Sequence, residues 1–159
     1  MAATESPSRP IGSIEVRRLA YGDLPGVLSI ERRSFPAPWS LAMFVLELSK
    51  PSGICLAADT GDGLAGYLVC SRYADIWHVM NVAVDPERRR EGIGRRLLSE
   101  AVRIACSRGC HAVWLDTSSR STLDFYLSLG FTAFGTLSNV ESGKPAQHRR
   151  WFLQRRIDG

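Results

Sequence analysis

The segment over residues 85–98 places arginines and glycines between an apolar run and an amphipathic stretch, a composition suited to binding phosphate. Gly92 and Gly94 lack a Cβ atom, so a diphosphate can approach the main chain and meet the unpaired N–H groups of a helix's first turn. Three consecutive arginines at 88–90 add positive charge where the helix dipole already favours an anion. The sequence therefore predicts a phosphate-binding junction between a strand and a helix.

Two other phosphate motifs are excluded by the order of the residues. The Gly-x-Gly-x-x-Gly pattern of dinucleotide-binding folds is absent, and no acidic residue closes a second strand at the expected distance. A P-loop needs Gly-Lys-Ser/Thr, which the chain also lacks. Glycines near a helix start and runs of arginine occur on ordinary solvated surfaces too, so the motif alone leaves that interpretation open.

The length and composition indicate one compact domain. The chain has 159 residues, of which 45% are hydrophobic, enough for one full core and too few for two ordinary domains. We expect that domain over residues 13–159, after a flexible tail over residues 1–12 that is rich in Ala, Ser, Thr and Pro. The tail lacks the apolar run of a signal peptide, and no segment is apolar for long enough to span a bilayer. The expected location is cytoplasmic, without membrane contact.

The net charge of +4 comes almost entirely from arginine, since Lys50 and Lys144 are the only lysines. Arginine suits phosphate recognition, although a general preference for arginine over lysine across a genome would give the same composition. The arginines are scattered along the chain and no aromatic platform interleaves with them. Direct binding of nucleic acid is therefore not predicted.

The four cysteines and three histidines form no metal-ligand pattern. No Cys-x-x-Cys pair occurs, and the group Cys106, Cys110 and His111 has no fourth ligand at a suitable spacing. His78, within a predicted strand, and His148, near the end, have no sequence neighbour that would complete a triad or a metal site. We expect reduced thiols and no metal ion.

Hydrophobic periodicity and cap residues predict a mixed α/β domain. Asp23 and Ser40 are suited to cap two helices, and the loop over residues 35–40 between these helices is stiffened by two prolines. Residues 76–84 are apolar on both faces toward their end, which is typical of a central strand. The predicted strands are 14–19, 54–59, 64–73, 76–84, 112–115, 131–137 and 150–155, and the predicted helices are 23–34, 41–50, 93–108 and 121–129.

The spacing Arg89-x-x-Gly92-x-Gly94 directly after a strand resembles the acetyl-coenzyme A (acetyl-CoA) signature of the GCN5-related N-acetyltransferases (GNAT). Residues 81–86, Asn-Val-Ala-Val-Asp-Pro, look like the family's central strand, whose bulge leaves main-chain groups free for the pantetheine arm and the thioester. Residues 126–131 are similar to the family's Tyr-x-x-x-Gly-Phe segment. The predicted order of elements is also that of the GNAT fold.

The loop over residues 35–40, preceded by Glu31, resembles a loop of the ribosomal-protein-alanine N-acetyltransferases, the RimI-like branch. This resemblance implies a central mixed sheet, splayed so that acetyl-CoA enters between two parallel strands, with helices on its flanks. The acceptor it implies is the α-amine of a protein N-terminus, with a ribosomal protein among the candidates. The residues it assigns to the cofactor are Val82, Ala83, Val84, Arg89, Arg90, Glu91, Gly92, Ile93, Gly94, Arg95, Ser119 and Ser121.

The chemistry of acetyl transfer needs a base, because an amine is protonated near neutral pH and cannot attack a thioester until it loses a proton. Asp116 occupies the place of the glutamate that RimI-like enzymes use as general base, and it is one methylene shorter. In a partly closed cleft we expect its pKa to be raised toward a useful range. The alternative is that Asp116 only caps the turn at residues 117–118.

The leaving thiolate needs a proton, and Tyr126 matches the family tyrosine that supplies it as general acid. The alternative is a core aromatic beside Phe125 and Phe131, although a tyrosine between two phenylalanines suggests that its hydroxyl has a partner. The resemblance also implies that the main-chain N–H near Val82 holds the oxyanion.

The acceptor is the least determined part of the prediction. Pro38 and Trp39 are predicted to form one side of a peptide groove with residues 137–140 opposite, and Glu31 is a candidate to hold the free amine. The branch's Arg-x-Ser-Asn segment is missing before the last helix, where Ser119 or Ser121 would take the place of its asparagine. Three functions stay open: acetylation of protein N-termini, acetylation of a small amine, and a non-catalytic coenzyme A sensor.

Overall fold

The computed structural model describes residues 13–138 and 149–157. The predicted tail over residues 1–12 lies outside them, as do residues 139–140 of the segment expected to face Pro38 and Trp39 across a peptide groove.

The described residues form seven strands and four α-helices, in the order that the sequence predicted. Their bounds match the predicted ones or differ from them by one or two residues. The strands are β1 Glu15–Arg18, β2 Ile54–Asp59, β3 Leu64–Tyr73, β4 Ile76–Val84, β5 Ala112–Thr117, β6 Thr132–Ser138 and β7 Arg149–Arg156, and the helices are α1 Leu24–Ser34, α2 Leu41–Leu48, α3 Ile93–Ser107 and α4 Arg120–Ser128. None of these helices combines the length and apolar character needed to cross a membrane.

The two predicted helix caps have different outcomes. The Ser40 hydroxyl accepts the main-chain N–H of Met43 at 3.4 Å, so it caps α2 as expected. Asp23 occupies the position before α1, but its carboxylate makes no cap bond to that helix. It accepts instead from the Ala20 N–H and from the guanidinium of Arg17, both at 2.8 Å. The predicted side-chain cap at Asp23 is wrong because a charged partner competes for the same oxygens.

The strands form one mixed sheet in the order β1-β2-β3-β4-β5-β7-β6. Strands β1 and β2 pair antiparallel, as do β5 with β7 and β6 with β7. The parallel pairing of β4 with β5 runs only over Ile76–His78, although both strands continue beyond it. The predicted α/β class with a splayed, mixed central sheet is confirmed.

The chain divides into two compact units. The first holds the described residues up to Val69 together with Asn81–Ala101, and the second holds Cys70–Met80 and the described residues from Val102 onward. A single domain over residues 13–159 stays a prediction. The side chains that fill the first unit include Val27, Ile30, Phe44, Tyr67 and Leu97, and those that fill the second include Trp77, Val113, Leu115, Phe131 and Leu153.

Gly66 lets β3 and β4 approach the start of α3 closely within the first unit. A Cβ atom at this position would lie 2.9 Å from the main-chain oxygen of Ala83 and 3.2 Å from Cγ2 of Ile93. The first distance is shorter than a carbon–oxygen contact allows, and a main-chain oxygen in a sheet cannot move aside freely. The absence of a side chain is therefore a packing requirement.

We expect Gly66→Ala to lower the free energy of unfolding by about 1–3 kcal/mol, because the added methyl group overpacks the contact with Ala83. Urea denaturation followed by circular dichroism measures the change. Gly22→Ala is the matched control, since a Cβ atom there would meet nothing within 4 Å. Equal stability of the two variants would contradict the packing argument.

Candidate active site

Asp85 anchors the start of the phosphate loop, which we define as residues 85–95. Its carboxylate accepts the main-chain N–H of Glu87 and forms an ion pair with Arg33 of α1, each at 3.0 Å. The hydrogen bond from Arg33 lowers the pKa of Asp85, so the group stays ionised near neutral pH. The Arg88 N–H donates to the main-chain oxygen of Asp85 at 2.8 Å and closes a short 3-10 turn. The loop is thereby attached to α1 at its beginning.

The phosphate loop then turns through two residues with left-handed backbone. Arg90 has φ +68° and Gly92 has φ +79°. A residue other than glycine seldom adopts such a φ, and backbone strain of this kind concentrates at ligand sites. The first main-chain bond of α3 joins the Arg96 N–H to the Gly92 oxygen at 3.1 Å. The N–H groups of residues 93–95 have no acceptor within the helix, so they are available to an anion.

The arginines of the phosphate loop divide into one that is used internally and three that face solvent. Arg88 donates to Glu91 at 2.9 Å and to the Thr60 hydroxyl at 3.0 Å. Its charge, and that of Glu91, are therefore committed to the loop itself. The exposed arginines, which make no ion pair within residues 13–138 and 149–157, are Arg89, Arg90 and Arg95.

The hydrophobic residues predicted to touch the cofactor contribute mainly to the core. Ile93 is 1% exposed and Ala83 is buried, whereas Val82 and Val84 are half-buried. Side chains along β4 alternate between buried and half-buried over its whole length. Contact of this strand with the thioester, through its main chain, stays a prediction.

Glu31 is a buried acidic side chain at the junction of four segments of the first unit. It is 1% exposed, and its oxygens accept the Trp39 N–H at 3.0 Å, the Asn81 side-chain amide at 2.9 Å and the Tyr67 hydroxyl. Burial, together with the Glu31 hydrogen bond, raises the pKa of Tyr67 and keeps its proton in place. These three donors satisfy a carboxylate that would otherwise be costly to bury.

The loop between α1 and α2 is held through its main chain. The Glu31 bond fixes Trp39, whose half-buried ring packs on Phe44 with centroids 5.2 Å apart, while Pro38 is exposed. The structure thus gives Glu31 a role in positioning Trp39. Direct contact of Glu31 with an acceptor amine stays a prediction.

Asp116 in the second unit lies between two basic side chains. It is an internal residue of β5, and one carboxylate oxygen accepts a hydrogen bond from Arg150 of β7 while the other lies 3.5 Å from Nε2 of His78 in β4. The hydrogen bond from His78, and then that from Arg150, lowers the pKa of Asp116 below its usual range. The expectation of a raised pKa is therefore wrong, because the hydrogen bonds from His78 and from the Arg150 guanidinium outweigh the effect of partial burial.

Tyr126 of α4 is nearly buried, with its ring in an aromatic cluster. The ring centroids of Phe125 and Phe131 lie 5.6 and 6.0 Å from its own. Burial and the charge of Asp116 raise the pKa of Tyr126 to about 12. The hydroxyl makes no hydrogen bond within the part of the chain described, so a ligand could supply its hydrogen-bond partner. Its role as an acid stays a prediction.

The two serines predicted to replace an asparagine lie at the start of α4. The Ser119 hydroxyl caps this helix by accepting the Thr122 N–H at 3.4 Å, and it lies 3.0 Å from the Ser121 hydroxyl. Both side chains are exposed. Their contact with the cofactor stays a prediction.

Sequence reasoning missed the two partners of Asp116. His78 was set aside because it has no sequence neighbour that would complete a triad or a metal site, and Arg150 was one arginine among many. The available signal was a lone imidazole in a mostly apolar strand. Parallel pairing of His78 with Trp114 then brings it within reach of Asp116, which follows two residues later on the same face.

Among the described residues, no three His, Cys, Asp or Glu side chains are grouped as metal ligands would be.

Comparison with known proteins identifies the family. The model of the acetyltransferase (GNAT) family matches residues 24–131. N-alpha-acetyltransferase RimI of Mycobacterium tuberculosis is 36% identical over 130 residues, which cover 77% of this chain and 80% of that protein. The ribosomal protein bS18-alanine N-acetyltransferase of Salmonella typhimurium is 33% identical over 116 residues, covering 71% of this chain and 77% of that protein.

Comparison of the fold with solved structures also finds a ribosomal-protein-alanine N-acetyltransferase. The crystal structure of the ribosomal-protein-S18-alanine N-acetyltransferase from Escherichia coli superposes with a TM-score of 0.82 at 24% sequence identity, covering 92% of this chain and 96% of that one. The match of a family model over most of the described chain agrees with the arginine–glycine motif and with the order of elements. The chain therefore belongs to the acetyltransferase (GNAT) family.

Proposed function

We propose that this protein is a cytoplasmic enzyme that transfers the acetyl group of acetyl-CoA to the α-amine of a protein N-terminus. The observation that carries the proposal is the phosphate loop, in which left-handed Arg90 and Gly92 lead into the unpaired N–H groups of residues 93–95. Oriented main-chain donors beside exposed arginines suit the diphosphate of coenzyme A. The acceptor class is supported by the two curated relatives, each about one third identical and named for N-terminal or alanine acetylation.

The proposed reaction occurs by direct attack in a ternary complex. The acceptor amine loses a proton, and its nitrogen then forms a bond to the thioester carbonyl carbon while the carbon–sulfur bond breaks. Tyr126 gives its proton to the departing thiolate. Its pKa, raised to about 12, keeps the phenol protonated at neutral pH, so the hydroxyl has a proton to donate as the carbon–sulfur bond breaks.

The stiffness of the loop over residues 35–40, which we call the acceptor loop, supports a peptide substrate. Pro36 and Pro38 restrict the backbone, and the Glu31 bond to Trp39 fixes the loop from inside the first unit. A preorganised surface loses less entropy when a flexible peptide binds. Pro38 and Trp39 are accordingly proposed as peptide contacts.

Two other functions are distinguishable from this one. A small-amine acetyltransferase would use the same cofactor site and would leave peptide N-termini free. A coenzyme A sensor would need neither a protonated Tyr126 nor the charged surroundings of Asp116. The presence of both supports an enzyme.

Gly94→Ala tests the cofactor site. An alanine at the second residue of α3 is compatible with helix, while its methyl group obstructs a phosphate at the N–H groups. We expect acetyl-CoA binding to weaken about tenfold or more by calorimetric titration, with an unchanged melting temperature. Gly22→Ala is the control. Gly92→Val is unsuitable for this test. Residue 92 has φ +79°, where any side chain is strained, so a loss of binding could not be told from a defect in folding. Unaltered affinity in Gly94→Ala would contradict the assignment.

Tyr126→Phe tests the acid. The change removes the proton donor and almost no volume, so we expect turnover to fall by roughly 10²-fold with little change in acetyl-CoA affinity. Steady-state release of coenzyme A measures turnover. The acetyl-CoA affinity of Tyr126→Phe serves as the control for packing. Turnover equal to that of wild type would return Tyr126 to a purely structural role.

A panel of acceptors tests the substrate class. It contains a peptide with a free N-terminal alanine, the same peptide with a blocked N-terminus and an added lysine, and small polyamines. We expect mass spectrometry to show acetylation of the free α-amine alone, because no acidic side chain is exposed in the loop over residues 35–40 to hold a lysine ammonium. Modification restricted to lysine side chains or polyamines would replace the proposal by the small-amine function.

A further inference from the structure

His78 and Asp116 form a pair on one face of the sheet in the second unit. Nε2 of the imidazole lies 3.5 Å from Oδ1 of the carboxylate, and the two side chains are 35% and 21% exposed. Both are thus supported by protein on one side and reachable from solvent on the other. A half-exposed histidine oriented by a carboxylate is an arrangement that moves protons.

The carboxylate itself is poorly placed to act as the base. Arg150 donates to Oδ2 and His78 faces Oδ1, so both oxygens of Asp116 already have cationic or donor partners. The same partners lower the pKa of Asp116, which weakens its attraction for a further proton. A base for the acceptor amine must therefore be sought beside Asp116.

We propose that His78 takes the proton from the acceptor amine and that Asp116 positions it. The inference rests on the proposed acetyl transfer and assigns the base for that reaction. With Nε2–H donated toward Asp116, the lone pair of Nδ1 faces away from the carboxylate and is free to accept a proton. Asp116 also stabilises the imidazolium that forms, as a carboxylate does when it holds a catalytic histidine.

Proton transfers through His78 and Tyr126 accompany the transfer of the acetyl group. The ammonium of the acceptor gives one proton to Nδ1 of His78, and the resulting amine attacks the carbonyl carbon of the thioester. The nitrogen–carbon bond forms, the carbon–sulfur bond breaks and the thiolate takes the phenolic proton of Tyr126. The second proton released by nitrogen as the amide forms restores the phenol. The imidazolium returns its proton to water through the exposed edge of the ring.

In the described part of the chain, the charged and titratable side chains near His78 come from β3, β5 and β7. Asp116 approaches from β5, Arg150 of β7 reaches the same carboxylate, and Tyr73 of β3 has its ring centroid 6.4 Å from the imidazole. Arg150 thus balances the charge of Asp116 on the oxygen that does not face His78.

The first readout needs no substrate. Two-bond ¹H–¹⁵N correlation spectra report which imidazole nitrogen carries the proton, and His78→Gln identifies the signal of His78. We expect the proton on Nε2 in the wild type at neutral pH, and a change in tautomer or its population in Asp116→Asn. A spectrum that is the same in wild type and Asp116→Asn overturns the positioning role.

The second readout is kcat/KM against pH with whichever amine the wild type acetylates. We expect His78→Gln to lower kcat/KM by roughly 10²- to 10⁴-fold, with acetyl-CoA affinity unchanged, and to abolish the limb of the wild-type profile that rises between about pH 5 and 8. Added imidazole should restore part of the activity of His78→Ala. His111→Gln, which alters an exposed histidine outside the site, should behave as wild type.

Two outcomes separate the failure of this inference from that of the proposed function. Wild-type values and pH profile in His78→Gln, together with loss of activity in Asp116→Asn, would return the base to Asp116 and leave acetyl transfer intact. Absence of turnover by the wild type with every amine would overturn both proposals.

Discussion

The buried carboxylate of Glu31 is the interaction on which the arrangement of the first unit depends. It collects hydrogen bonds from the acceptor loop at Trp39, from β3 at Tyr67 and from β4 at Asn81, while it is itself carried by α1. A carboxylate inside a protein is tolerated only when such donors replace its water. Loss of any one donor would leave a buried polar group unsatisfied, so the four segments have one mutual position that satisfies all of them.

The same helix holds the phosphate loop. One turn of α1 carries Glu31, which is bonded to Asn81 within β4, and Arg33, which is paired with Asp85 directly after β4. The two contacts act on both sides of the stretch that is proposed to meet the thioester. Helix α1 therefore positions both the loop between α1 and α2 and the phosphate loop.

Charge balance dominates the second unit. Asp116 is shared between Arg150 and His78, and these partners reverse the effect that partial burial alone would have on its pKa. For Tyr126, burial and the charge of Asp116 act in the same direction and raise its pKa to about 12. One group is thus kept ionised and the other protonated, which is the division of roles that a proton-transfer site requires.

Short-range features were readable from the sequence. The strands and helices, the cap at Ser40 and the loop around Gly92 depend on periodicity, side-chain branching and φ preferences that act over a few residues, and together they were enough to indicate the family. The charge environment was decided only by the tertiary structure. Parallel pairing of β4 with β5 places His78 beside Asp116, and folding buries Glu31 among donors from distant segments. Desolvation and Coulomb interactions depend on distance in space, which the order of residues along the chain does not contain.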